Sequence, residues 1–141
     1  MSRDLLSAVG GLSENPQLVA AEDFECWLRL ARRTERFAKL PGEHGYYWIG
    51  KGNTSSPTRT ITWLNELRAI YMHQESLSRL TEPPAWLAFA LGKAHFQLRQ
   101  NQQALQELSN IHISKNNIVS YIKKTILNLA IRIHLHRRNE I

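Results

Sequence analysis

Near its C-terminal end the chain carries Ile118, Ile122, Ile126, Leu129 and Ile133, aliphatic residues spaced four, four, three and four apart. That spacing is the period of an α-helix, and it recurs over too many residues to be accommodated by a strand, whose side chains alternate every two. The predicted helix starts at Asn116 or Asn117 and runs to about Arg138. Its β-branched residues lower helix propensity slightly, but a sustained period outweighs propensity.

The same period appears upstream. Phe24, Trp27, Leu28 and Ala31 fall at i, i+3, i+4 and i+7, predicting a helix to about Lys39 that Pro41 and Gly42 stop. A helix over Thr60–Leu80 places Leu64, Leu67 and Tyr71 on one face, broadened by Trp63, Ile70 and Leu77. Thr81, Pro83 and Pro84 close it and open the next. The segment Ala85–Arg99 is apolar almost all round (Trp86, Leu87, Phe89, Leu91, Phe96), which predicts a central helix. Asn101 is placed to cap a short helix through Ile111 that turns Ala104, Leu105 and Leu108 inward. A helical turn over Asp4–Val9 ends at Gly10 and Gly11, and Pro16 opens another behind Ser13 and Asn15.

These elements predict an all-α fold: a compact bundle of about five helices in one domain over 1–141, interrupted by a long loop over 41–59. Within that loop Tyr46–Ile49 and Thr58–Trp63 have the aromatic and β-branched composition to pair as a small hairpin, the alternative to plain loop. No apolar run reaches the roughly 18 residues that span a bilayer, and Met1–Gly10 has no signal-peptide pattern, so the expectation is a cytoplasmic protein without a membrane partner.

Catalytic signals are weak. Cys26 is the single cysteine, which excludes an internal disulfide and a thiolate metal cage and fits a small buried hydrophobe. The six histidines form no H-E-x-x-H, and His134 and His136 stand about 200° apart on a helix, so no metal site is expected. GKGNTSS does not satisfy the phosphate-loop pattern. The expectation is a non-enzyme without cofactor or small-molecule ligand.

Charge is the stronger signal. Eighteen Lys and Arg against twelve Asp and Glu give a formal net charge of +6, which favours a polyanion, an acidic protein or an anionic surface as partner. On a helix continued to Lys39, Arg29, Arg32, Arg33 and Arg36 share one face, a row suited to phosphate oxygens, with Lys39 following. The competing reading is a solvated face paired with Glu22, Asp23 and Glu25. The C-terminal helix adds Lys123, Lys124 and Arg132. In the loop, Tyr46, Tyr47 and Trp48 stand between His44, Lys51 and Arg59, either a stacking surface for bases or a plug for the core.

Two resemblances accompany these residues. The stretch Trp86–Leu108, WLAFALGKAHFQLRQNQQALQEL, resembles a tetratricopeptide helical hairpin, with Leu91 and Gly92 at its leucine and small-residue positions, His95 for the usual tyrosine, and Ala104 and Leu108 at the packing positions of the second helix. That likeness implies close helix approach at Gly92 and a protein-binding role. The order of an Arg-rich early helix (Trp27–Arg36), a proline-aromatic loop (Pro41–Trp48) and a later basic helix pair is similar to the small helical subunit of type I CRISPR interference complexes. This resemblance implies a non-catalytic subunit that holds DNA or RNA through Arg29, Arg32, Arg33 and Arg36 beside protein subunits. The expected function is therefore nucleic-acid phosphate contact within a larger complex, with a protein-binding adaptor or chaperone as the alternative.

Overall fold

The structure, a computed structural model, describes residues 2–46, 56–72, 84–112 and 118–139. All regular structure among them is helical: α1 (Arg3–Ala8), a 3-10 turn (Pro16–Leu18), α2 (Glu22–Ala31), α3 (Pro57–Met72), α4 (Ala85–Gln97), α5 (Asn101–Ser109) and α6 (Ile118–Asn139). The chain is all-α, as its periodicity predicts, and forms two compact units, Met1–Ser56 and Pro57–Ile141.

In the first unit, the Ser2 hydroxyl accepts from the Leu5 amide to start α1. Gly10, in left-handed backbone, ends it, with Gly10 N–H donating to Ser7 and Gly11 N–H to Leu6. That pair of bonds satisfies carbonyls a helix end leaves open. Asn15 Oδ1 accepts from Gln17 N–H at the start of the 3-10 turn. Leu18, Ala21, Cys26 and Leu30 are buried, so Cys26 takes the place of a small core hydrophobe.

Helix α2 is shorter and turned differently from its sequence reading. It ends at Ala31, not near Lys39. The five residues that follow, Arg32 to Arg36, offer no apolar side chain for a continued helix to bury, and Thr34 diverts the chain: its hydroxyl accepts from Arg36 N–H. Nor do Phe24, Trp27, Leu28 and Ala31 together form the inner face, Phe24 and Leu28 being half-buried. Trp27 is 58% exposed and Ala31 is exposed, while Glu25, Cys26 and Leu30 point inward.

The second unit is a helical bundle centred on α4, which touches α3, α5 and α6. The nearly continuous apolar surface of α4 explains that position: Leu87 and Leu91 pack with Leu64 of α3, and Ala88 packs with Ala104, Leu108, Ile111 and Ile131. The expected inner face of α3 is present in Leu64 and Leu67, with Trp63, Ile70 and Tyr71 half-buried. Arg68 of α3 donates bidentately to the Glu107 carboxylate of α5, at 3.2 and 2.6 Å.

The turn joining α4 to α5 uses Arg99 in left-handed backbone, with Arg99 N–H bonded to Phe96 and Gln100 N–H to His95. Across it, His95 Nδ1 lies 2.7 Å from Gln100 Oε1. Gln100, not Asn101, occupies the cap position of α5; Asn101 begins the helix and is buried.

The small hairpin is not formed. Thr58–Trp63 lies within α3, which Pro57 opens with its fixed φ, and Tyr46 is not in a strand. Tyr47, Trp48, Lys51 and the segment 73–83, including Leu77, lie outside the described residues.

Candidate protein-binding face

Helix α6 has two apolar faces. One, made by Leu127, Ile131 and Leu135 at intervals of four, packs on the bundle, and Ile131 is fully buried. The other is the stripe that the sequence makes most conspicuous, and it points outward: Ile118 is 52% exposed, Ile122 53%, Ile126 65%, Leu129 61% and Ile133 47%. At 100° per residue the two faces sit on opposite sides of the helix. The stripe that identifies the helix in the sequence is therefore not the face that fills the core. The bundle needs only one face of α6, and the Leu127/Ile131/Leu135 row fits against the small residues Ala88 and Ala104.

Val119, also 60% exposed, completes the outward row. Val119, Ile122, Ile126, Leu129 and Ile133 then follow one another by three, four, three and four, a heptad seam with β-branched residues at its a positions. The sequence carries both rows on opposite sides of one helix.

The residues expected to bind phosphate divide into two groups. Arg29 is used internally. Its Nε lies 2.8 Å from Glu25 Oε1 and one terminal nitrogen 2.7 Å from Glu25 Oε2, while that same nitrogen donates to the Gly11 carbonyl at 2.7 Å and the other to the Val9 carbonyl. The Glu25 side chain is 5% exposed, so the guanidinium neutralises a buried carboxylate and ties α2 to the end of α1. The pairing reading is the correct one at this position. Lys124 is likewise turned inward: its ammonium donates to the Ile111 carbonyl at 2.6 Å, just beyond α5, and sits 5.4 Å from the Tyr121 ring centre.

Arg32, Arg33, Arg36 and Lys39 are exposed, as are Lys123 and Arg132. With α2 ending at Ala31, the four arginines do not share a helical face. Tyr46 is fully exposed. Arg32, Arg33, Arg36 and Lys39 belong to the Met1–Ser56 unit, and Lys123 and Arg132 to the other.

The hairpin α4–α5 has the close approach expected at Gly92. A Cβ there would lie 2.7 Å from Leu108 Cγ and 3.3 Å from the Ala104 carbonyl oxygen. Gly92, Ala104 and Leu108 are all buried, giving α6 a rigid backing.

Among the described residues no group of three or more His, Cys, Asp and Glu could hold a metal ion, and no helix is long and apolar enough to cross a membrane. No protein-family model matches the sequence, and no curated protein and no solved structure matches it.

Proposed function

We propose that the protein is a non-catalytic adaptor that binds another protein through the outward face of α6. The observation that carries this reading is the exposure of five heptad-spaced aliphatics, Val119 to Ile133, on a helix whose opposite face is fixed to the bundle. Contiguous exposed apolar surface of this kind disfavours solution and marks interaction sites. A rigid helix presenting apolar anchors at regular spacing is a recurrent mode of protein recognition. The tetratricopeptide-like packing at Gly92 supports it by holding α6 in place from behind.

The test is site-specific photo-cross-linking in the native host. A photoreactive residue in place of Ile126 or Leu129 is expected to give a discrete protein adduct that persists after nuclease digestion, and the same probe at Gln103, exposed on α5, is not. Adducts that form equally at Gln103, or none at Ile126 and Leu129, contradict the adaptor reading.

A second reading, contact with nucleic-acid phosphates inside a larger assembly, is favoured by a different observation. Arg32, Arg33, Arg36 and Lys39 stand exposed beyond α2, in a segment that also exposes Phe37 and Tyr46. Basic segments interleaved with aromatics suit single strands. This reading keeps the role inferred from the resemblance to the small CRISPR subunit, without Arg29. Loss of single-stranded DNA or RNA binding in R33Q/R36Q, measured by fluorescence polarisation at low salt, supports it; unchanged binding removes it.

A further inference from the structure

The adaptor reading leaves the chemistry of the partner open, and two features of α6 define it. The first is register. A lipid surface accepts any apolar strip, whereas the spacing of three, four, three and four keeps a seam in contact with a second helix over about 21 Å, from the 1.5 Å rise per residue between Val119 and Ile133. The strip also contains no tryptophan or phenylalanine, the aromatic anchors of helices that lie in a membrane interface.

The second feature is charge. Lys123 follows the seam residue Ile122 and Arg132 precedes Ile133, so one exposed cation flanks each side of the seam, at the e and g positions that select coiled-coil partners. From Ile118 to Asn139 the helix contains no aspartate or glutamate. A second copy of α6, parallel or antiparallel, therefore brings no carboxylate to either cation.

Resting on the adaptor reading, we propose that the outward face of α6 pairs with a single amphipathic helix of another protein, aliphatic at its a and d positions and carrying glutamate or aspartate at e and g. β-branched residues at a (Val119, Ile126, Ile133) with Leu129 at one d position favour a two-stranded pairing, against Ile122 at the other d position, which favours higher-order bundles. The apolar seam supplies affinity, and the two cations supply selection against other helices.

The full chain is titrated with two synthetic helical peptides that share isoleucine at a and leucine at d and differ only in having glutamate or lysine at every e and g position. Fluorescence anisotropy is expected to show binding of the glutamate peptide, weakened by added salt, and preference for it over the lysine peptide. In K123E/R132E that preference is expected to fall by about fivefold or reverse, the scale of two exposed ion pairs. Loss of glutamate-peptide binding in I126Q/L129Q places the contact on the seam.

Equal binding of both peptides overturns the acidic-partner proposal while leaving the adaptor reading intact. Concentration-dependent dimerisation through the same residues, seen by light scattering, assigns the seam to a second copy and also overturns it. Binding of neither peptide overturns it too. Binding instead to phosphatidylserine-containing vesicles, abolished by I126Q/L129Q, replaces both proposals with a membrane surface.

Discussion

Gly92→Ala is the substitution whose effect the structure fixes most tightly. In a helix interior the change from glycine to alanine is worth about 1 kcal/mol of stabilisation. Here the new methyl would stand 2.7 and 2.9 Å from Leu108 Cγ and Cδ2 and 3.3 Å from the Ala104 carbonyl oxygen. Leu108 is fully buried against Ala88, Ile111 and Ile131; rotation about Cβ–Cγ leaves Cγ where it is, and rotation about Cα–Cβ would have to swing the whole side chain within a packed site. Overpacking of this kind costs about 1–3 kcal/mol. The balance is a net loss of about 1 kcal/mol, or roughly 4–8 °C for a domain of this size. Leu108→Ala alone removes the obstruction but opens a cavity, at about 2–5 kcal/mol. In the double variant the added methyl occupies part of that cavity without the Leu108 Cγ and Cδ2 overlap, so the two effects are coupled by about 1–2 kcal/mol, in the range contacting residues show. Thermal and urea melts of the four proteins read this directly. A Gly92→Ala protein more stable than the parent, or effects additive within about 0.5 kcal/mol, would refute the close packing of α4 on α5.

Further outcomes follow from the contrast between internally used and exposed cations. Arg29→Ala removes the guanidinium that pairs with the buried Glu25 carboxylate and is expected to cost about 2–4 kcal/mol, below the usual figure for a buried pair because Arg29 is a quarter exposed. Arg33→Ala, on an exposed turn residue, changes stability by less than about 0.5 kcal/mol, and urea titrations of the pair distinguish a structural arginine from a surface one. Lys124→Met removes the bond to the Ile111 carbonyl and is expected to lower stability by about 1 kcal/mol, whereas Lys123→Met leaves it unchanged, read by helical circular dichroism on heating.

Much of the architecture was legible because helical period survives without tertiary information. The order of the helices, the central place of α4 and the stop at Gly10 all follow from apolar spacing and backbone restriction. The orientation of a helix was less so. On α2 a pattern count selects Phe24, Trp27, Leu28 and Ala31, but a buried Glu25–Arg29 pair turns a polar edge inward, and hydrophobicity alone cannot register a charge that is neutralised on site. On α6 the period identified the helix without fixing its inner face, because two apolar rows compete and only packing against Ala88 and Ala104 decides between them. The basic stripe failed for a related reason: its arginines share a face only if the helix continues, and the run from Arg32 to Arg36 offers nothing for a helix to bury.

Thermal unfolding of Ile126→Gln beside Ile131→Gln examines the two faces of α6 in a single comparison. Glutamine is at least as good a helix former as isoleucine, so at the outward position 126 the stability is expected to stay within the small range of surface substitutions, about 0.5 kcal/mol. At position 131 the same change puts an amide into a fully buried apolar site, with an expected loss of about 3–5 kcal/mol. Equal destabilisation by the two substitutions would mean that Ile126 is already covered in the isolated chain, leaving α6 no free face to offer a partner.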